Sequence, residues 1–323
     1  MRQRNLYIFS SGRLRRRENT LVFETPGGRR VFPVETLDQI FLFGEVDLNT
    51  RLLTFCGRSG IMLHVFNYYG HYTGSYYPRE QFLSGDLVVR QVAHYMDSER
   101  RLDLARRFIE GAFHNMGRVF GKRGDHSLVQ EIKKRSEQLK NAVDVGEVMR
   151  LEAQVRRVYY QAIARATGLE WKAREIRPPS NPLNALISFG NALVYAAVLK
   201  EIHRTALHPA VSFLHEPSDR RYSLALDVSE VFKPVLSDRL VLQLVNRGQI
   251  REEHFDRDLN YAYLKEEGRK IFVRAFDAKL EDTVIHRRLR RKVRYRTLIR
   301  LDLYRLIKHL YGEKPYIPLK MWW

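Results

Sequence analysis

The sequence predicts an α+β multidomain protein, an N-terminal β-sandwich domain followed by a larger all-α domain. Three observations carry that expectation. Up to about Tyr77, short runs rich in Val, Phe, Ile and Tyr alternate with glycine and proline. Beyond Asp86, apolar residues recur at helical spacing: Leu87, Val88, Val92, Tyr95, then Leu102, Ala105, Phe108, Ile109 and Ala112. A length of 323 residues, 44% hydrophobic and 11% aromatic, is enough for two cores. The expected divisions are a β-domain over 1–77, a linker over 78–85, the helical domain over 86–312 and a tail over 313–323.

Within the first part, LYIFSSG, TLVFETP and RRVFPVE read as strands, with punctuation at Gly12, Pro26, Gly27, Gly28 and Pro33. TRLLTFCGRSG reads as a short helix, and GIMLHVFNYYGHYTGSYY as a hairpin turning at Asn67 to Gly70. Helices fill most of the second part to about Leu310, with GKRGDHS and ARATGLEWKAREIRPPSNP as the main loops. No internal repeat is present. The segment from His286 to Gly312 reads as a strongly basic amphipathic helix. Beyond it, Pro315 and Pro318 forbid a long helix in PYIPLKMWW. A Trp322–Trp323 pair is costly to leave in water, and it docks on its own domain or on a partner.

Fifty-six Lys and Arg against 37 Asp and Glu give a formal charge of +19 and a pI near 10.1. Self-repulsion on that scale calls for a polyanion, with nucleic acid first and an anionic membrane surface second. Clustered arginines favour phosphate contacts for Arg290, Arg291 and Arg294. A lone Cys56 amid apolar neighbours forms no intrachain disulfide and suits a reducing compartment. The apolar run from Ala185 to Leu199 is shorter than the ~20 residues a bilayer requires. The expectation is a cytoplasmic protein without a membrane partner.

Three tempting patterns fail. Gly117 and Gly121-Lys122 are separated by three residues where a phosphate loop needs four, and Arg123 stands where Ser or Thr belongs. Asp256, Asp258, Asn260 and Glu267 match calcium-loop positions, but Tyr261 replaces the obligatory glycine, leaving a surface connection between helices. His203 and His208 are five apart, off the face a helical zinc pair requires.

Two segments survive. RLEAQVRRVYYQAI, Arg150 to Ile163, is a helix with Leu151, Val155, Val158, Tyr159 and Ala162 on its apolar face. Glu152 borders that face with Arg156 four residues on, the spacing of a modest surface ion pair. In FLHEPSDRRYSLALDVSEVFKP, Phe213 to Pro234, Asp227 and Glu230 lie three apart on one helix face, with His215 upstream and Pro234 as a stop. One imidazole with carboxylates suits Mg2+ or Mn2+ better than zinc. In an arginine-rich chain the matching substrate is a phosphodiester. The residues alone also leave open a stand-alone structure-selective nuclease or recombination enzyme, and a non-catalytic nucleic-acid scaffold whose acids only pair with arginines.

These residues also carry a resemblance. YIFSSGRLRRRENTLVFE, FGEVDLN at Phe43 to Asn49, YYPRE at Tyr76 to Glu80, RPPSNPLNALISFGNALVY at Arg177 to Tyr195, FLHE at Phe213 to Glu216 and SLALDVSEVFKPVLSDRL at Ser223 to Leu240 resemble the CRISPR-associated integrase family that inserts new spacers into the repeat array. The likeness runs the whole length. It implies a β-sandwich domain with an α-helical catalytic domain, and a metal site of Glu152, His215 and Glu230 with Asp227 as a supporting residue or occasional ligand. Ala153 and Ser212 depart from the family pattern, each by another small residue. The resemblance further implies joining of prespacer 3′-hydroxyl ends to repeat-boundary phosphodiesters, and DNA cleavage by the same site. Arg156 and Tyr195 fall on family motifs and are expected to orient phosphate. The implied partners are DNA, a second copy of the chain and the small second CRISPR-associated protein.

Overall fold

The computed structural model describes residues 4–175, 179–217, 222–258 and 261–323. Its N-terminal region contains β1 (Arg4–Ile8), β2 (Gly12–Arg17), β3 (Thr20–Thr25), β4 (Gly28–Pro33), β5 (Leu37–Leu42), β6 (Val46–Asp47), α1 (Thr50–Arg58), β7 (Met62–Phe66) and β8 (Tyr72–Tyr76). They form two four-stranded sheets, ordered β1-β5-β7-β8 and β4-β3-β2-β6, so the expected sandwich is present. Period-two alternation builds it: along β2, Leu14 is buried while Arg13, Arg15 and Arg17 face solvent. Leu14, Leu21, Phe23, Leu37, Ile40 and Leu42 join Leu52, Phe55 and Cys56 of α1 in the core between the sheets. Burial pushes the Cys56 thiol up to about 12, so it is inert at neutral pH. The β7–β8 turn forms where expected, with Gly70 at φ 79 and Asn67 Oδ1 accepting from the His71 N–H at 2.9 Å.

The second region comprises α2 (Gly85–Met96), α3 (Ser98–Gly121), α4 (His126–Lys140), α5 (Val145–Thr167), α6 (Pro182–His203), α7 (Ser223–Lys233), α8 (Arg239–Asn246), β9 (Phe255–Asp258), β10 (Tyr261–Leu264), α9 (Glu266–Glu281), β11 (Thr283–His286), β12 (Arg291–Arg294) and α10 (Tyr295–Leu310). Asn181 caps α6 by accepting from the Asn184 N–H, and Pro182 sits at the first helical position, where its missing N–H costs nothing. By length and composition α6 could cross a membrane, but it is apolar all round because other elements bury it. The two regions share one core: Phe41, Phe43, Met62 and Phe66 of the first sheet and its edge pack with Phe189 and the helices. A buried ion cluster ties them further. Asp38 at the start of β5 meets Arg204 Nη2 at 2.7 Å, Arg296 Nη1 at 2.8 Å and Lys200 Nζ at 3.5 Å.

Two expectations need correction and a third needs sharpening. The basic segment is not one helix: Arg290, Arg291 and Arg294 belong to the β11–β12 hairpin, and helix begins only at Tyr295. Thr283-Val284-Ile285 is a β-branched run that favours strand, and Val284 pairs with Val293 across the hairpin. The stretch around Asp256 is likewise a hairpin, β9–β10, rather than a link between helices; Asn260 lies outside the described residues. Pro234 ends the α-helical pattern of α7, as expected, but does not turn the chain away from the helical path. The chain passes through a π-helical turn, Pro234–Asp238, closed by the Arg239 N–H on the Pro234 carbonyl, and continues as α8. The wider turn accommodates a residue with no N–H to give back to the preceding turn.

The tail docks on its own chain. Tyr316, Leu319 and Met321 are buried, and Asn115 of α3 donates to the carbonyls of Val231 and Leu319, each at 2.9 Å. Trp323 Nε1 donates to Tyr295 Oη at 2.9 Å while Arg239 lies over the indole.

Candidate active site

Two helices and one loop assemble the site. α5 carries Glu152 and Arg156 one turn apart, and α7 carries Asp227, Glu230 and Lys233 at successive three-residue steps. The loop bearing His215 is fastened to α2 and α3. Buried Gln91 bonds to the carbonyls of His208 and Val211, and Arg101 donates to the Phe213 carbonyl at 3.0 Å and to Glu216 at 2.5 Å.

Asp227 is fully buried and does not cap its own helix. Its Oδ2 accepts from the N–H groups of Phe213 and Leu214 at 2.6 and 2.9 Å. Its Oδ1 accepts from the His215 N–H at 2.9 Å and from His215 Nδ1 at 2.8 Å. A carboxylate there makes Nδ1 the donor and leaves the lone pair on Nε2, which has no partner among the described residues. Burial works against the charged imidazole, but the Asp227 hydrogen bond and charge, then Glu230, raise the His215 pKa above its usual value. Asp227 thus holds both the backbone and the ring of His215.

Glu152 and Glu230 meet through Arg156, which is 7% exposed. Arg156 Nε donates to Glu152 Oε1 at 2.7 Å, Nη2 donates to Glu230 Oε2, and Nη1 lies 3.5 Å from Tyr160 Oη. Lys233 Nζ takes the other Glu230 oxygen. Burial would raise the Glu230 pKa, yet Lys233, Arg156 and His215 together hold it down at about 2. For Arg156 the penalty of burial is outweighed by Tyr160, Glu230, Glu152 and Asp238, and its pKa rises.

Among the described residues, no three His, Cys, Asp or Glu side chains converge closely enough to hold one ion as they stand. Cationic side chains occupy the carboxylate oxygens instead. The donor chemistry nevertheless fits a hard divalent cation. It offers two glutamates held by a shared cation, and an imidazole whose orientation is fixed and whose Nε2 is unengaged among the described residues.

Beside the group is a cavity of about 180 Å³ lined by Tyr195, Lys233, Ser229, Arg174, Asn191 and Tyr72. Tyr195 Oη accepts from the Tyr222 N–H at 3.1 Å. Arg290, Arg291 and Arg294 stand apart on the β11–β12 hairpin. All three are exposed, and Arg294 pairs with Glu281 at 3.4 Å. Sequence reasoning missed Lys233, Arg174 and Asp238. Lys233 is three residues past Glu230, a legible helical pairing; nothing local marks the other two.

A strand sandwich merged with a helical body around this acid, imidazole and guanidinium group matches a CRISPR-associated class. The family model described as "CRISPR associated protein Cas1" matches residues 6–278. The "CRISPR-associated endonuclease Cas1 2" of Moorella thermoacetica is 55% identical over 320 residues, 99% of this chain and 100% of that protein. A solved CAS1 protein from Thermotoga maritima matches with a TM-score of 0.88 at 41% identity, over 97% of this chain and 98% of its own. A casposase bound to integration product shares the fold with a TM-score of 0.85 at 21% identity, over 100% of this chain and 95% of that one. The chain belongs to the Cas1 family.

Proposed function

We propose that this protein is a metal-dependent DNA integrase and endonuclease of CRISPR adaptation. The observation that carries the reading is the meeting of Glu152 and Glu230 on one guanidinium, beside an imidazole oriented by Asp227. Mg2+ or Mn2+, held by Glu152, His215 and Glu230, would supply an activated nucleophile and a polarised scissile phosphate.

The chain's own residues do the rest. Glu230, with its pKa near 2, stays ionised throughout the physiological range and needs no deprotonation to serve as a ligand. Asp227 holds the His215 ring with Nδ1 as the donor, so Nε2 is the nitrogen presented to a metal. Lys233 and Arg156 place positive charge beside the phosphodiester, and Arg156 and Tyr195 orient it from the carboxylate side and the cavity wall. In joining, the 3′-oxygen of a prespacer end bonds to phosphorus and loses its proton. The bond from phosphorus to the repeat's 3′-oxygen breaks, and that oxygen leaves as a new 3′-hydroxyl. With water as nucleophile the same exchange is cleavage. Arg290, Arg291 and Arg294 add backbone contacts. The working assembly contains a second copy of this chain and the small second CRISPR-associated protein.

The test mixes a short duplex with free 3′-hydroxyls, a repeat-containing plasmid and the second protein, with Mg2+ or Mn2+. Covalent half-site joints are expected from the wild type and absent from Glu152→Ala and His215→Ala. Joining at full rate by both variants refutes the catalytic assignment, and nicks without joints refute the integrase reading.

A further inference from the structure

Asp238 closes the π-helical turn and is completely buried; the equally buried Tyr159 hydroxyl is its neighbouring donor, and no described residue makes a close hydrogen bond to either carboxylate oxygen. Burial, helped by the Glu230 charge, pushes its pKa up to about 6 against the pull of Arg156, Lys233 and the Tyr159 hydroxyl. A buried carboxylate so sparsely hydrogen-bonded is costly, so its place requires a reason. Backbone geometry supplies half of it. In an uninterrupted α-helix the eighth residue after Glu230 would stand about 80° round the axis. The extra residue of the π turn brings it back to within about 20°, onto the face of Glu230. Arg156 supplies the other half. Its Nη1 lies 3.8 Å from Asp238 Oδ2, an ion-pair separation about an ångström too long for a hydrogen bond.

One guanidinium thus faces three carboxylates: it binds Glu152 and Glu230 and falls just short of Asp238. As described, Arg156 and Lys233 balance Glu152 and Glu230 charge for charge. A divalent cation on the two glutamates brings two more positive charges to the same oxygens, and a buried guanidinium cannot retreat into an apolar core unpaired.

We propose that Asp238 is a positioning residue that takes over Arg156 when a divalent cation engages Glu152 and Glu230, so that the guanidinium keeps the metal's place until then. The inference rests on the metal reading above. It makes the ion exchange with Arg156 part of loading the site, with the π turn as the feature that puts the receiving carboxylate in reach.

Mn2+ affinity, read from the electron paramagnetic resonance of the free ion, tests this in wild type, Asp238→Asn, Arg156→Gln, the double variant and Glu230→Gln. Asp238→Asn is expected to weaken Mn2+ binding about ten- to a hundredfold. Arg156→Gln, which removes the competitor, is expected to bind at least as tightly as wild type, and the double variant to match Arg156→Gln. Undiminished affinity in Asp238→Asn overturns the inference, as does a loss that persists without Arg156. Should Asp238→Asn fail to fold, weaker Mn2+ binding by Arg156→Gln alone overturns it. Binding lost in Glu230→Gln but untouched by Asp238→Asn leaves the metal reading standing without this inference. No Mn2+ binding by wild type overturns both.

Discussion

Replacing His64 with glutamine is expected to remove a defined part of the protein's sensitivity to acid. His64 is completely buried on β7, with Nε2 2.8 Å from Gln39 Oε1 and Nδ1 2.6 Å from Ser75 Oγ. Burial, helped by the Lys200 charge and opposed by Asp38, pulls its pKa from 6.5 down to about 3. Between those values the unfolded imidazole binds a proton that the folded one refuses. The stability it contributes is therefore complete above pH 6.5 and is lost as pH falls toward 3. At about pH 5 the unfolded state has gained about 2 kcal/mol, at about 1.4 kcal/mol per pH unit below 6.5. That figure holds as long as the folded pKa stays under 5. Glutamine is neutral at every pH and keeps a donor for Gln39. Urea midpoints of wild type and His64→Gln are compared at about pH 7.5 and about pH 5, where all other titrating groups cancel in the difference. Wild type is expected to lose about 2 kcal/mol more than the variant. Equal losses would refute the reasoning.

Gly190→Ala would drive a Cβ into Ser237 Oγ and to 2.9 Å from Phe272 Cζ, and is expected to cost ~1–3 kcal/mol in urea unfolding. The cost should fall in a Ser237→Ala background; an equal cost there would mean that the serine is not the obstacle. Asp227→Asn turns one of two accepting oxygens into an NH2 donor among N–H groups, which loosens the His215 loop and ring, and is expected to slow strand joining about ten- to a hundredfold. Neutralising Arg290 and Arg291 should flatten the salt dependence of DNA binding by about 0.9 per lost phosphate contact. Arg294, already paired with Glu281, should change it least; an unchanged slope in all three would move the DNA path off the hairpin.

Local patterning accounts for what was legible beforehand. Arg13, Leu14 and Arg15 alternate as a half-buried strand must, and Asn67 to Gly70 carry the turn chemistry that their hairpin uses. The three-residue spacing of Asp227 and Glu230 does place both on α7. Their unequal roles did not follow from spacing, because Asp227 is defined by loop N–H groups fourteen to twelve residues upstream. Glu152 joins Glu230 only through the packing of α5 on the rest of the helical body, which no local window contains, so its membership came from family likeness. The β11–β12 hairpin was hidden because arginines dilute its alternation, leaving only a three-residue β-branched run as a signal. The π turn was invisible for a different reason: proline reads as a stop, and whether a helix widens around it depends on the surrounding contacts.

The groove between α3 and α7 is filled from far along the chain. Asn115 reaches both the Val231 carbonyl, next to Glu230, and the backbone of Leu319 and Met321. A ribosome delivers those residues in order. Val231 leaves it nearly ninety residues ahead of Leu319, a lag on the order of ten seconds at ordinary elongation rates. Throughout that interval α7 can pack on α3 and α6, but the tail is not yet there to complete the Asn115 hydrogen bonds. A buried side chain beside Glu230 is therefore satisfied only by residues made long after the helix it serves.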